Sequence, residues 1–383
     1  MNKLIYLDHA ATTACDPKVV EAMLPWFSEQ YGNPSTMYHI GASAQSAVRH
    51  AKEQIAATLG CGYEEIFFTC GGTESDNWAI KGIAQAYADK GKHIITTGIE
   101  HPAVLNTCKY LAGLGYEITY LNVDREGFVS LQEVERAIRP DTILISVMYA
   151  NNEIGTIEQI QEIGEIAHRH GILFHTDAVQ AYGQIPISVQ EDNIDLLSAS
   201  GHKFYGPKGI GFLYVRKGVQ ICQFMHGGQQ ERGRRAGTEN VPGIVGIGMA
   251  AELAADTLSI RMESERKLQK YLARNIMDNI SDITWNGPEP GSGSRLPGNI
   301  NLRFTGMPAE TTMIMLDMQG ICVSAGSACA SGSVDPSHVL MAIGCSEKEA
   351  ECSLRFSLGK ENTTNEMDYV TKALWEAADR IRN

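Results

Sequence analysis

"TILISVMYANNEIGTIEQIQEIGEIAHRHGILFHTDA", Thr142 to Ala178, holds two apolar runs around an amphipathic stretch. "TILISVM" (Thr142–Met148) is a continuous apolar run and reads as a buried strand. In "IQEIGEIAHRHG", Ile160, Ile163 and Ile166 recur at helical spacing and the pattern stops at Gly171. "ILFHTDA" (Ile172–Ala178) then reads as a second strand, ending on a carboxylate. A strand, a crossover helix and a strand predict parallel neighbours in one sheet.

The same alternation extends on both sides. "EIFFT" (Glu65–Thr69), "HIITT" (His93–Thr97) and "EITYL" (Glu117–Leu121) read as strands. "TESDNWAIKGIAQAYADK" (Thr73–Lys90) and "PAVLNTCKYLAGLG" (Pro102–Gly115) read as helices between them. From Pro17 to about Ala254 the pattern predicts an α/β fold, a mostly parallel sheet covered by helices on both faces. Ligands of such a sheet gather at the carboxyl ends of its strands. A long, charge-rich helix is expected from Gly243 to Ile280, then a loop, "NGPEPGSGSRLPGN". A smaller α/β unit follows, with "NINLRF", the helix "AETTMIMLDMQG", "CSLRFSLG" and a terminal helix to Asn383. At 383 residues the chain exceeds what one core usually serves. Residues 16–257 are expected to form a large domain, and residues 1–15 with 258–383 a small one.

A net charge of −13 argues against nucleic acid or an anionic membrane as the main partner. No stretch reads as a membrane span, and the first residues lack a signal peptide's apolar region, so a cytoplasmic location is expected. The 9 cysteines include no CxxC pair, which speaks against a disulfide framework or a zinc site.

Three motifs carry chemistry. In "TCGGTESDN" (Thr69–Asn77) a strand meets Gly71 and Gly72, and Thr73 opens a helix. Glycines admit an anion to the backbone, and the helix start supplies free N–H groups and a positive dipole end. The spacing matches neither a Walker loop nor a dinucleotide fingerprint, so a single phosphate suits it; Thr73 as a simple helix cap is the alternative. In "HTDAVQA", Asp177 ends a buried strand and needs a cation or a hydrogen-bond donor. A pyridinium nitrogen would serve, with Gln180 in reach of a ring substituent; a capping aspartate is the plainer reading. In "SASGHKFYGPKG" (Ser198–Gly209), Lys203 follows His202 in a glycine-flanked turn. A desolvated lysine there is a nucleophilic amine able to form a Schiff base. Lys208, between proline and glycine, reads as an exposed rival. Phosphate grip, pyridinium partner and amine together meet the needs of pyridoxal phosphate.

With "YLDHAATT", "YGNPSTMYHIG", "EHPAV", "NNEIGT", "QERGRRAGTEN", "SAGSACASGS" and "LRFSLG" in the same order, the chain resembles the cysteine desulfurases of the NifS/IscS type. These are class V members of the fold-type I, aspartate aminotransferase-like pyridoxal-phosphate enzymes. The cysteine loop resembles the NifS/IscS branch and not the SufS-like one, although the chain ends sooner after its last helix than some IscS-like members. The resemblance implies that Lys203 carries the cofactor, Asp177 pairs its ring nitrogen, Gln180 touches its phenolic oxygen and His101 stacks on its ring. It implies a phosphate site of Gly72, Thr73, Ser200 and His202, with Thr238 reaching the site of a second subunit in a homodimer. Asn33, Asn152 and Arg355 correspond to the residues that hold the carboxylate of L-cysteine. Cys329 corresponds to the nucleophile that takes sulfur as a persulfide and passes it to an iron-sulfur scaffold or another acceptor protein. Its setting of alanines, glycines and serines offers nothing to bury a thiol, and suits a cysteine that must travel. Cys322 is expected to be a buried structural thiol. An aminotransferase or selenocysteine lyase would keep Lys203 and Asp177 without needing Cys329, and a sulfur carrier without cofactor would need only the cysteine loop.

Overall fold

The structure, a computed structural model, describes residues 4–325 and 336–383. Strand β1 (Ile5–Tyr6) opens the chain. The main sheet contains β2 (Ile66–Thr69), β3 (His93–Thr97), β4 (Glu117–Leu121), β5 (Thr142–Ser146), β6 (Leu173–Asp177), β7 (Leu196–Ser200) and β8 (Gly211–Val215). Their order is β2-β8-β7-β6-β5-β3-β4. The neighbours from β7 to β4 are parallel, whereas β8 runs antiparallel to both β2 and β7. Strand β8, "GFLYV", is absent from the strands expected above. It is antiparallel because no crossover helix separates it from β7; residues 201–210 simply turn the chain back.

Alternate residues of each strand feed opposite faces. Ile66, Phe68, Ile95, Ile145 and Leu197 enter one buried cluster, and Phe67, Ile94, Leu144 and Leu196 another. Helices Gly72–Ala86 and Pro102–Ala112 pack on the second face; helix Ile160–Arg169 packs on the first.

The C-terminal part forms an antiparallel sheet of β9 (Ile283–Trp285), β10 (Asn299–Phe304), β12 (Ser324–Ala325) and β13 (Ser353–Ser357), with β11 (Ile321–Cys322) pairing β1. Its core joins Ile300, Leu302, Leu354 and Phe356 to Leu374 of the last helix, Thr364–Arg382, and recruits Ile5 and Leu7 from the chain start. Helix Val241–Asn279 serves both cores: Ile244, Ile247 and Ala251 lie on the main sheet, Leu268, Leu272 and Ile276 on the smaller one. By length and composition this helix is apolar enough to cross a membrane, contrary to the expectation that no stretch is. Its apolar residues are spent on the two cores instead.

Candidate active site

The site lies where β2, β6 and β7 end. Register brings Gly211 opposite both Thr69 and Ser200, so the turn after β2 abuts the end of β7. A Cβ at Gly211 would stand 2.7 Å from the Gly71 Cα, so only glycine lets these ends meet. At Gly72 a Cβ would fall 2.5 Å from Val179 Cγ2, beside Ser200. Gly71 caps helix Gly72–Ala86, leaving Thr73 in its first turn and exposed, so Thr73 does not itself cap. The helix start with buried Ser200 therefore forms a cradle with free N–H groups, and Glu74 in its first turn is already engaged. Glu74 accepts from Cys70 N–H at 2.7 Å and from Arg235 Nε at 2.8 Å.

Lys203 ends the short turn Gly201–Lys203 after β7. Its Nζ donates to the carbonyls of Ala10 (2.5 Å) and Ala11 (2.9 Å), and no carboxylate among the described residues binds it directly. Burial, then the charge of Arg355, lower its pKa to about 8, against the opposing pull of Asp8 and Asp177. Gln180 Nε2 donates to the same Ala10 carbonyl at 2.9 Å. His202 holds Thr12 Oγ1 at 3.1 Å, and burial with the two nearby lysines lowers its pKa to about 4, so it is neutral. Lys208 is exposed.

Asp177, at the end of β6, is 4% exposed and accepts one N–H, from Val179, at 2.9 Å. Burial pushes its pKa up, while His101 and Lys203 hold it down. His101 caps helix Pro102–Ala112, its Nδ1 accepting from Ala103 N–H at 3.1 Å. His101 is exposed, yet it sits deep enough that burial lowers its pKa, against the pull of Asp177. Thr73 and His101 share an open pocket of about 440 Å³.

Arg355, on β13, is 1% exposed. Its Nη2 donates to Asp8 Oδ1 at 2.8 Å and Nη1 to the Asn152 carbonyl at 2.9 Å, while Nε has no partner among the described residues. Asn33 and Thr238 do not join these residues within one chain. Asn33 is exposed, its Oδ1 accepting from Ser35 N–H at 2.9 Å. Thr238 is exposed beside Cys70 and Gly209.

Cys329 lies outside the described residues, but both flanks of its segment border the site. Ser324 on β12 pairs with Arg355. Ser337 donates to buried Glu153 at 2.5 Å, and His338 Nε2 donates to the Glu100 carbonyl at 2.9 Å, next to His101. Cys322 is half-buried rather than buried, since β11 and β1 form a sheet of only two strands; even so, burial raises its thiol pKa.

Sequence reasoning missed Asp8, the Ala10 and Ala11 carbonyls, Asp76 and Glu100. "YLDHAATT" hinted at the first three, but only folding over the lysine turn gives them a role. Asp76 and Glu100 are buried acids within motifs read for other residues.

The residues fit pyridoxal phosphate on this geometry. The helix start and Ser200 suit its phosphate, the buried, scarcely hydrogen-bonded Asp177 its ring nitrogen, and the Lys203 amine its aldehyde.

Such a sheet edge with lysine, aspartate and anion cradle defines a fold-type I pyridoxal-phosphate enzyme. The aminotransferase class-V family model matches residues 5–370. The cysteine desulfurase IscS of Clostridium botulinum is 53% identical over 98% of this chain and 94% of its own length. That of Methanosarcina thermophila is 53% identical over 100% and 94%. A solved NifS-like protein superimposes with a TM-score of 0.92 at 39% identity, covering 99% of this chain and 100% of its own. The chain belongs to the class-V aminotransferase family and, within it, to the IscS/NifS-type cysteine desulfurases. Enzymes of this family depend on pyridoxal phosphate.

Proposed function

We propose that this protein is a cysteine desulfurase, converting L-cysteine to L-alanine and leaving the sulfur as a persulfide on Cys329. The observation that carries the reading is the convergence of the Lys203 amine, Asp177 and Arg355 at one sheet edge, with Arg355 paired to Ser324 where the Cys329 segment begins. Bound pyridoxal phosphate supplies the electron sink for bond changes at the substrate Cα.

Lys203 would hold the cofactor covalently, and its free amine, with its lowered pKa, suits proton movement near neutrality. Asp177 would hold the ring nitrogen, and Gln180 would reach the phenolic oxygen. His101 would lie against the ring, with Nε2 available for proton relay, since its Nδ1 is committed to Ala103. Gly72, Thr73, Ser200 and His202 grip the phosphate. Arg355 receives the substrate carboxylate with Asn152; its guanidinium is already oriented by Asp8 and needs little reordering. The Cys329 thiolate attacks the substrate sulfur, so an S–S bond forms as the C–S bond breaks. The three-carbon remainder takes up a proton and leaves as L-alanine.

We further propose that the enzyme is a cytoplasmic homodimer in which Thr238 completes the phosphate site of the opposite subunit. Its position on an exposed segment apart from its own Lys203 supports this. The acceptor is an iron-sulfur scaffold or another sulfur-receiving protein. Residues 16–257 form one domain, and residues 1–15 with 258–383 the other, a division supported by the separate cores. Incubation with L-cysteine and a reductant should release sulfide and alanine in equal amounts. Pyruvate in place of alanine, or a protein that binds no pyridoxal phosphate, would overturn the reading.

A further inference from the structure

Asp76 lies on the buried face of helix Gly72–Ala86 and is 1% exposed. One oxygen of Asp76, one of Asp177 and a ring nitrogen of His101 lie within 4.8 Å of one another. Two carboxylates enclosed this closely cannot both ionise without a large penalty. Their surroundings decide which one keeps the proton. Asp177 has the Val179 N–H, and His101 and Lys203 favour its anion. Among the described residues, Asp76 has only the neutral Ser198 hydroxyl to favour its anion, and its Oδ1 has no hydrogen-bond partner. His175 Nε2 stands 3.7 Å from that oxygen, but His175 is no cation. Burial lowers its pKa to about 3, and its nitrogens meet Ser146 at 2.8 Å and Ser198 at 3.0 Å. Burial and the Asp177 charge accordingly push the Asp76 pKa well up.

We propose that Asp76 is a positioning residue, a neutral carboxylic acid whose proton is directed at Asp177 and keeps that carboxylate ionised against the cofactor's ring nitrogen. Hydrogen-bond donation favours the anion that receives it. Without the donor, Asp177 becomes more basic and draws the shared proton away from the ring. The inference rests on the reading of Asp177 given above.

The test is the ¹⁵N chemical shift of ring-labelled pyridoxal phosphate in the holoenzyme at neutral pH. The native protein should show a protonated ring nitrogen. Asp76→Asn, whose amide also donates, should keep that signal. Asp76→Ala should move it towards the unprotonated value, and Asp76→Leu replaces it if the alanine cavity unfolds the chain. The proposal is overturned if Asp76→Asn moves the signal as far as the non-donating variants, because charge and not donation would then matter. It is equally overturned if the non-donating variants leave the signal in place. Asp177→Asn separates the two ideas: a signal unmoved by it refutes the pairing of Asp177 with the ring, whatever Asp76 does.

Discussion

Replacing Arg355 with glutamine should raise the pH at which Lys203 of the cofactor-free protein captures pyridoxal phosphate. Capture needs the neutral amine. With a pKa of about 8, roughly 10% of Lys203 is neutral at pH 7, against about 0.03% for an ordinary lysine, a gain of ~300-fold. Burial is the largest cause of the lowered value and Arg355 the next, while Asp8 acts in the opposite direction. Arg355→Gln removes the cation and also frees Asp8 from its 2.8 Å ion pair. Both changes stabilise the charged amine, so the midpoint must rise above 8. Burial persists, so it stays below the ordinary 10.5. Each unit of rise slows capture at pH 7 by about tenfold. Arg355→Lys keeps a cation and should stay near the native midpoint. Capture is stopped with borohydride at timed intervals from pH 6 to about 10, and the Lys203 peptide is quantified by mass spectrometry. The same reaction with Nα-acetyl-lysine removes the aldehyde's own titration. A native midpoint at the ordinary lysine value, or an Arg355→Gln midpoint that stays put or falls, would refute the electrostatic account.

Cys329→Ser should bind pyridoxal phosphate as the native chain does while sulfide release falls by at least about 100-fold, because a hydroxyl is a far poorer sulfur nucleophile. Sulfur from radiolabelled cysteine should lodge on Cys329 and not on Cys322, whose burial holds its thiol protonated; tryptic mapping of the label decides. Mixed Lys203→Ala and Thr238→Ala chains should recover activity through heterodimers that have one intact site, whereas an active monomer by sedimentation would exclude shared sites. Glu231→Ala strands Lys52, its buried ion-pair partner, and should lower stability by about 3–5 kcal/mol, read from the urea midpoint.

Much of the candidate site could be read from the sequence because its parts sit at strand ends, where local pattern and chemistry coincide. Asp177 closes an apolar run, Gly71 and Gly72 open a helix, and Lys203 occupies a glycine-flanked turn. Each needs only its own neighbours to be recognised. Strand β8 escaped notice because a five-residue apolar run after a turn has too little periodicity to announce itself. Cys322 was misjudged because burial depends on what covers a strand, and β11 has only β1 beside it.

The order of strands and helices, the mostly parallel main sheet and the identity of the chemical groups were determined by the sequence itself, through period-2 and period-3.6 patterns and the turn residues between them. Tertiary structure alone decided which groups meet. Asp8 and Arg355 are 347 positions apart and form an ion pair only because β1 joins the C-terminal core. The Ala10 and Ala11 carbonyls reach Lys203 only when that first segment crosses the lysine turn. The same holds for Asp76 and Asp177, where sequence shows two acids on separate elements. Their closeness, and with it the question of which keeps its proton, exists only after helix and sheet bury both carboxylates together.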